Sequence, residues 1–359
     1  MVKKVIILFL IIVMNICFIG CNNKKPISKD LQKEISFNQS IAKQIVLNYM
    51  SYLKKGDYES ARKLCSPNLA NRNKEIYEDE LGVYSYKILE LSQRADITTI
   101  KVLVNRSKRG TPQTGLDTIT FKVKQNQDDL YEIVSAVGAT KCQVYVDKGT
   151  LKLLDRGAKE ASPKDIVKLE GLPKMTYVNL DKSDIKLSVP NKEFSGADFS
   201  LNLDKIAISS TDGKDSFVGI AVIDEAIEVQ GKSGGEGKNE NGKDGEKGIC
   251  KKLIALDTYR DIRIEEMYFT AEDNYLIVDT ISKMNIRDMK IYDINTELQI
   301  QTNFKEMFPE DKYELFFVSN SGVDSIIFDV KAKKDASQIR RDALGKYKIN
   351  LKELKIEKV

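Results

Sequence analysis

The sequence predicts a chain with two folded parts, an α+β unit followed by a longer all-β unit. Three observations predict this order. Apolar residues recur at helical spacing between residues 38 and 55, whereas from Val83 onward they alternate with polar residues, as in half-buried strands. Beyond residue 190, an aromatic residue, a polar turn and an apolar strand occur together three times. The 359 residues, 42% of them apolar, are enough for two domains with packed cores.

Residues 1–20 have the order of a secretory signal peptide. Two lysines precede an apolar run over residues 5–19, which is shorter than the roughly twenty residues that a membrane-spanning helix needs. The sequence FIGC at residues 18–21 then resembles the lipobox of bacterial lipoproteins, in which a small residue precedes an invariant cysteine. The resemblance implies cleavage after Gly20 and attachment of diacylglycerol to Cys21. A plain secretory signal or an uncleaved anchor is the alternative.

The segment that follows the leader, residues 21–35, is expected to be a flexible tether because it is polar and contains a proline. Two acyl chains attach a protein stably to a membrane. The expected partner is therefore membrane lipid, bound through acylated Cys21. The expected location is the extracytoplasmic face of the cell membrane, and the Lys-, Ile- and Asn-rich composition suggests a low-GC Gram-positive bacterium.

An apolar stripe with a spacing of four residues predicts an amphipathic helix over residues 38–55. Its members are Ile41, Ile45, Tyr49 and Leu53. Gly56 stands where a left-handed C-terminal cap belongs, and Asp57 can cap a second short helix that ends before Pro67. From Val83, four segments with a period of two predict antiparallel strands. A helix pair followed by these strands is an α+β arrangement.

The segment NYMSYLKKGDYESARKL, followed by long strands, resembles the nuclear-transport-factor-two-like, or cystatin-like, fold. In that fold a bent sheet wraps a long helix into a cone. The resemblance gives the first unit its expected bounds, residues 36–138, and implies a cone mouth that is a small-molecule pocket, an enzyme site or a binding surface. Enzymes of this fold often use an Asp and His pair inside the cone. Because this chain has no histidine, a binding or scaffolding unit is expected.

The second unit, residues 139–359, is expected to be built from a repeated β pattern. The three aligned units begin at Phe199, Phe269 and Phe317, and each continues into a second strand. The first interval is the longer one because a low-complexity segment, residues 231–248, is inserted between two strand-like runs. This segment has many glycines, balanced charges and no apolar side chain, so it is expected to be disordered.

Units of this kind resemble the blades of β-propellers in tricorn- and TolB-like exported proteins. The resemblance covers residues 190–359, and residues 144–155 could begin an earlier unit. It implies a propeller-like domain with no more than about four blades. An incomplete propeller or a β-sandwich is the open alternative.

The composition excludes several kinds of chemistry. A chain without histidine cannot form a Ser-His-Asp or Cys-His nucleophile, or a histidine-ligated zinc site. With 57 Lys and Arg against 53 Asp and Glu, and with no basic block, binding to nucleic acid is not expected. No catalytic residue, metal ligand or cofactor is predicted, and Cys21 is the one site residue, as the position of lipidation.

Three further groups of side chains allow two interpretations each. Cys65 and Cys142 could form a disulfide, although buried free thiols are the commoner state. Two acidic clusters could be carboxylate pairs for glycoside hydrolysis, but solvated positions are expected. Their members are Asp181, Asp184, Asp257, Asp261, Glu265 and Glu266. Four tyrosines could line the cone mouth, with core or rim positions as the default. They are Tyr58, Tyr77, Tyr84 and Tyr86.

Together these features predict a membrane-anchored lipoprotein that acts as a non-enzymatic binding or interaction module, with an envelope protein or polymer as its partner. The alternative is a carboxylate-dependent hydrolase or a small-ligand sensor, with its site in the propeller funnel or in the cone. A deep cavity with two or more convergent acids would favour the alternative. A filled cone and a flat surface lined by loops would favour the first interpretation.

Overall fold

The computed structural model describes residues 29–72, 81–157, 162–177, 186–223, 248–334 and 336–359. Several predictions fall outside the described residues: those on the leader, the lipobox with Cys21, Tyr77, Asp181, Asp184 and residues 231–247 of the insertion. Within the described residues, no helix combines the length and the apolar character that a bilayer crossing requires.

Three helices open the described chain. Helix α1 spans Lys29–Lys55, α2 spans Tyr58–Lys63 and α3 spans Pro67–Arg72. Helix α1 begins before its predicted start at residue 38, so the last part of the predicted tether, residues 29–35, is helical. The sequence there is rich in Lys, Gln and Glu, which favour a helix without forming an apolar stripe.

The predicted caps between α1 and α2 are confirmed. Gly56 follows α1 with a φ of +70°, a conformation that costs glycine little. The Asp57 side chain accepts a hydrogen bond from the backbone N–H of Ser60 at 3.1 Å, as an N-terminal cap does. The chain therefore turns sharply at this point, and α2 contacts α1.

Helix α1 packs on a six-stranded antiparallel sheet whose strands are neighbours in chain order. The strands are β1 (Gly82–Arg94), β2 (Ile97–Ser107), β3 (Thr114–Gln125), β4 (Tyr131–Asp147), β5 (Thr150–Asp155) and β6 (Pro163–Lys168). The predicted domain boundary at residues 138 and 139 falls inside β4, which pairs with β3 on one side and β5 on the other. Residues 144–155 therefore belong to this sheet and do not begin an earlier blade.

The helix and the sheet share an apolar core. Val46 and Met50 of α1 are fully buried in it, together with Ile133 of β4. Tyr49 of α1 meets Phe121 of β3 edge to face, with ring centroids 5.6 Å apart. Since burying one such side chain contributes about 1.5–3 kcal/mol, packing is the main force that holds α1 on the sheet.

The rest of the described chain is almost entirely β. A short pair of strands, β7 (Met175–Tyr177) and β8 (Lys186–Ser188), leads to three four-stranded antiparallel meanders, named here blades 1, 2 and 3. Blade 1 contains β9 (Glu193–Phe199), β10 (Lys205–Thr211), β11 (Ser216–Ile223) and β12 (Cys250–Tyr259). Blade 2 contains β13 (Ile262–Phe269), β14 (Tyr275–Ser282), β15 (Arg287–Asp293) and β16 (Leu298–Gln299). After α4 (Phe304–Met307), blade 3 contains β17 (Tyr313–Asn320), β18 (Ser325–Ala332), β19 (Gly345–Asn350) and β20 (Lys355–Lys358).

These consecutive meanders make the all-β part propeller-like, and the predicted repeat corresponds to its blades. Phe199 ends β9 and Phe269 ends β13, and both rings are buried before a polar turn. Blade 3 is offset, because Phe317 lies within β17 and the corresponding turn begins only after Asn320. A bulge after Phe317 and a shorter turn account for the shift.

The six-stranded sheet contacts two of the blades through polar and aromatic side chains. Asn105 of β2 donates from Nδ2 to Asp198 Oδ1 at 2.6 Å and to the Phe199 carbonyl at 3.1 Å, both in blade 1. Tyr84 of β1 stacks on Tyr268 of blade 2, with ring centroids 4.6 Å apart. The α+β unit and the blades are thereby joined around a common interior.

Candidate functional site

A cavity of about 690 Å³ lies where α1 and β1 face blades 2 and 3. We name it the junction cavity. Its walls come from α1, from β1, from the loop between β2 and β3, and from strands of blades 2 and 3. Ligand pockets in proteins commonly measure 300–1,000 Å³ and lie between structural units, so this cavity has the size and the place of a small-molecule site.

Stacked aromatic rings form one wall of the junction cavity. Tyr84 stacks on Tyr268, and Tyr268 lies against Phe317 of blade 3 with ring centroids 4.4 Å apart. The three rings come from β1 of the six-stranded sheet, β13 of blade 2 and β17 of blade 3. Burial raises the pKa of the Tyr84 hydroxyl well above its ordinary value, which keeps that hydroxyl neutral.

Lys54 extends over these rings from the last turn of α1. Its Nζ lies 4.9 Å from the centroid of Phe317 and 5.5 Å from that of Tyr268, within cation–π range. In the described part of the chain, no carboxylate oxygen lies within 4.0 Å of this ammonium group. Burial lowers the pKa of Lys54 to about 8, although the charges of Glu266, Asp279 and Asp198 act in the opposite direction.

Two carboxyl groups lie side by side in the wall of the cavity. Glu266 of β13 and Asp279 of β14 are directly opposite each other in the antiparallel pair, which places their Cβ atoms roughly 5 Å apart on one face. Both side chains are buried, with exposed fractions of 8% and 7%. Glu266 accepts hydrogen bonds from Arg109 Nε and from the Tyr268 hydroxyl, so its negative charge is compensated.

Asp279 has a different environment from its neighbour. Burial is the main cause that raises its pKa to about 8, and the charge of Glu266 adds to the effect, while Arg287 and Arg109 oppose it. The Phe317 backbone also opposes the rise in the pKa of Asp279, with the smallest effect of all. Its Oδ1 atom is buried and has no hydrogen-bond partner among the described residues. At neutral pH the Asp279 carboxyl group is therefore protonated.

Positive charge exceeds negative charge around the cavity. Six cationic side chains line it, against three carboxyl groups of which Asp279 is protonated. The cations are Lys54, Lys55, Arg109, Arg287, Lys331 and Lys346. At the rim, Lys331 Nζ and the Arg287 guanidinium lie 4.6 and 5.5 Å from the centroid of Phe316. Since the whole chain has a formal charge of only +4, the cavity is a local concentration of positive charge.

A second, smaller cavity of about 290 Å³ lies between α1 and the six-stranded sheet. Tyr49 and Phe121 line it, together with an ion pair in which Arg106 Nε lies 2.6 Å from Asp117 Oδ2. The helix and the sheet therefore leave a gap between them. All the residues that line this cavity belong to the α+β unit, whereas both units line the junction cavity.

The structure separates the acids that the sequence groups together. Glu266 lies in the junction cavity, and Asp257 is buried and accepts a hydrogen bond from the Tyr292 hydroxyl at 3.0 Å. The expectation that this cluster is solvated is therefore wrong for these two residues, because both lie on strands that pack inside the blades. Asp261 does lie at the surface, where it pairs with Lys283.

The remaining predicted residues are also placed. Tyr84 and Tyr86 line the junction cavity, whereas Tyr58 is exposed. Cys65 and Cys142 are free and buried, which agrees with the commoner alternative, and burial raises the pKa of both thiols, to about 11 for Cys65. Among the described residues, no group of three or more His, Cys, Asp and Glu could hold a metal ion.

Lys54, Arg109 and Asp279 were not predicted from the sequence. Asp279 has a detectable signal, since it interrupts the otherwise apolar strand YLIVDTIS, where a charged residue is costly unless it has a role. Lys54 has no such signal, because a lysine in the last turn of a helix is common. Its position in a cavity depends on contacts with residues far along the chain.

Comparisons with known proteins give only distant similarities. No family model matches the chain, and no curated protein matches it. Among solved structures, a puromycin hydrolase aligns with a TM-score of 0.30 and 9% identity over 76% of this chain, and prolyl oligopeptidase B from Galerina marginata aligns with a TM-score of 0.27 and 11% identity over 80%. The chain covers 47% and 42% of those two proteins. A glycoside hydrolase aligns with a TM-score of 0.23 and 10% identity, over 77% of this chain and 94% of that one. Similarity at this level does not determine a function.

Proposed function

We propose that this protein binds a small anionic ligand with an apolar or aromatic part in the junction cavity. We therefore favour the small-ligand alternative over the predicted interaction with an envelope protein or polymer. A deep cavity with convergent acids is the feature expected to favour that alternative. Two acids, Glu266 and Asp279, line the junction cavity, and this supports the small-ligand alternative.

The observation that carries the proposal is the position of Lys54. An ammonium group above two aromatic rings, with no carboxylate beside it in the described structure, offers an anion a charge partner and an apolar surface together. A ligand with both features would replace water at the rings and find a positive charge at their edge. The further cations around the cavity support the same sign of ligand charge.

Binding of naphthalene-2-sulfonate tests the proposal, because this probe is an aromatic monoanion at every working pH. Titration calorimetry is done on the full chain in phosphatidylcholine nanodiscs, with empty nanodiscs as the blank. We expect Lys54→Met to weaken binding at least about tenfold, since a hydrogen bond between charged groups contributes about 1.5–3 kcal/mol. Lys124→Met is the matched control, because Lys124 is an exposed lysine that pairs with Asp96 away from the cavity. Equal affinity in both variants would contradict the proposal.

We also propose that the protein is held at the extracytoplasmic face of the membrane through acylated Cys21, with the α+β unit as a cystatin-like support for the cavity. The lipobox-like sequence FIGC supports this location. We expect Cys21→Ser to prevent lipid labelling and leave the chain unprocessed or released, as measured by metabolic fatty-acid labelling and membrane fractionation. Lys3→Ser, which leaves the cysteine in place, is the control. Normal labelling of the Cys21→Ser chain would refute the lipoprotein interpretation.

A second candidate function is hydrolysis by the carboxyl pair. Two neighbouring carboxyl groups in a cavity, one of them with a raised pKa, are the groups that general acid–base catalysis on glycosidic bonds requires. If the protein is such an enzyme, Glu266→Gln and Asp279→Asn should each lower the turnover of nitrophenyl glycosides at least 100-fold. Turnover that both variants retain would exclude the pair as the catalyst.

A further inference from the structure

We infer that the ligand of the junction cavity is the C-terminal end of an extended peptide, which adds a strand to the edge of β17 and places its terminal carboxylate at Lys54. This inference rests on the proposed function and names the class of the anionic ligand. It combines two features of the cavity, the strand edge along its wall and the position of Lys54 beside that edge.

The junction cavity runs along the edge of β17. Five consecutive residues of this strand, residues 316–320, line the cavity. Successive side chains of a strand point to opposite faces, so a cavity above one face would be lined by every second residue. Lining by consecutive residues places the cavity beside the strand, where its backbone N–H and C=O groups point. Each of the five residues is half-buried, so a ligand in the cavity can reach this edge.

The edge of β17 has room for a partner strand. Among the described strands, only β18 pairs with β17, which is the first strand of blade 3. The edge of blade 2 is different, because the Gly110 N–H of the β2–β3 loop already donates to the Glu265 carbonyl oxygen of β13 at 3.3 Å. On β17, the Asp279 carboxyl group interacts with the Phe317 backbone and engages one point of the edge. The rest of the edge is left for the backbone of an added peptide.

A second strand edge lines the same cavity. Residues 83–86 of β1 are also consecutive, and β1 is the first strand of the six-stranded sheet. We assign the peptide to β17 because Lys54 Nζ lies over a ring of that strand, 4.9 Å from the centroid of Phe317. The β1 edge then forms a further wall of the site.

The position of Lys54 identifies the end of the peptide. The last residue of a peptide carries its carboxylate and its side chain on the same carbon atom. The carboxylate can therefore pair with Lys54 while the side chain contacts the rings of Tyr268 and Phe317, and an aromatic side chain suits these rings best. The negative charge of the C-terminus complements the excess of cations around the cavity, whereas a charged N-terminus would be repelled by them.

Calorimetry with a tetrapeptide on the full chain in nanodiscs tests the recognition of the C-terminus. The probe is three alanines followed by phenylalanine, with an acetylated N-terminus, and it matches the edge because five strand residues span about 16 Å. We expect the free acid to bind at least about tenfold more tightly than the C-terminal amide, since only the acid brings a charge to Lys54. This preference should fall below about twofold in Lys54→Met, which lacks the cation. It should persist in Lys124→Met, the control away from the cavity.

Two further comparisons test the addition of a strand. The tetrapeptide should bind at least about tenfold more tightly than N-acetylphenylalanine, which has the same carboxylate and ring but no backbone for β17. In a strand pair, the N–H groups of alternate residues face the neighbouring strand. N-methylation of the second alanine and N-methylation of the third should therefore differ at least about fivefold in their effect, because only one of these N–H groups pairs with β17. Each methylated peptide is the control for the other.

The outcomes separate the inference from the proposed function. The inference is overturned if the acid and the amide bind equally, if Lys54→Met keeps the preference for the acid, or if the two methylated peptides bind equally. It is also overturned if the tetrapeptide binds no better than N-acetylphenylalanine. In each case the proposed function stands if naphthalene-2-sulfonate still binds through Lys54. If neither the sulfonate nor any peptide binds the wild-type chain, both fall. Thermal melts establish that each variant is folded.

Discussion

Replacing Asp279 by asparagine should stabilise the protein at neutral pH. In an unfolded chain an aspartic acid loses its proton near pH 3.8, whereas Asp279 in the folded protein keeps it up to about pH 8. Between these values the folded state holds a proton that the unfolded state has released. The free energy of unfolding of the wild type therefore falls as pH rises through this window, by about 1.4 kcal/mol for each pH unit.

The size of the effect follows from the same window. At pH 7, about three units above the ordinary pKa of aspartic acid, the wild type has lost about 4 kcal/mol of stability relative to pH 4 through this one group. An asparagine side chain does not titrate, so the gain from Asp279→Asn should be about 4 kcal/mol at pH 7 and close to zero at pH 4. The amide also fits the volume of the carboxyl group, so little repacking is needed.

Urea unfolding followed by circular dichroism, at steps from pH 4 to pH 7.5, measures this difference. The range ends below pH 8 because Lys54, whose folded pKa is lowered from 10.5 to about 8, makes stability rise with pH above that point. Asp329→Asn serves as the control, since water reaches the Asp329 side chain in the same cavity. A stability difference between Asp279→Asn and the wild type that is the same at pH 4 and pH 7 would refute the reasoning.

Two further predictions concern the contact between the six-stranded sheet and blade 1, and the packing inside blade 1. Asn105→Ala removes the donor that links the six-stranded sheet to the buried carboxyl group of Asp198. We expect the free energy of unfolding, measured in urea, to fall by about 2–4 kcal/mol. A fall of less than about 0.5 kcal/mol would show that this hydrogen bond does not hold the units together. Gly219→Ala would bring a Cβ within 2.7 Å of the Ile254 carbonyl oxygen in the neighbouring strand, so we expect a loss of about 1–3 kcal/mol and a lower melting temperature. Gly138→Ala, whose Cβ would have no neighbour closer than 3.6 Å, should melt much nearer to the wild type, and equal melting of the two variants would contradict the steric explanation.

Local patterns in the sequence were sufficient for much of the fold. The cap at Gly56 and Asp57 depends only on neighbouring residues, and it is present as predicted. The period of two after Val83 reflects strands with one buried face, and the aromatic repeat reflects meanders of similar length. Each of these signals comes from residues within one or two elements of each other.

The candidate site depends on contacts that local patterns do not contain. Lys54 is an ordinary helix-terminal lysine until Tyr268 and Phe317 are placed beneath it. The boundary at residue 138 was misplaced for a similar reason. The strand continues through Gly138 because β3 pairs with it on one side and β5 pairs with its second half on the other, and these partners lie outside the segment itself.

The aromatic rings of the junction cavity can come together only late in the synthesis of the chain. Tyr84 is synthesised in the first third of the chain, but Tyr268 and Phe317 follow only near the end. Until they emerge, the finished helix and sheet present an uncovered aromatic face to their surroundings. A nascent chain that stalls before residue 317 would therefore be prone to aggregate through this face. It would need a chaperone for as long as blade 3 is absent.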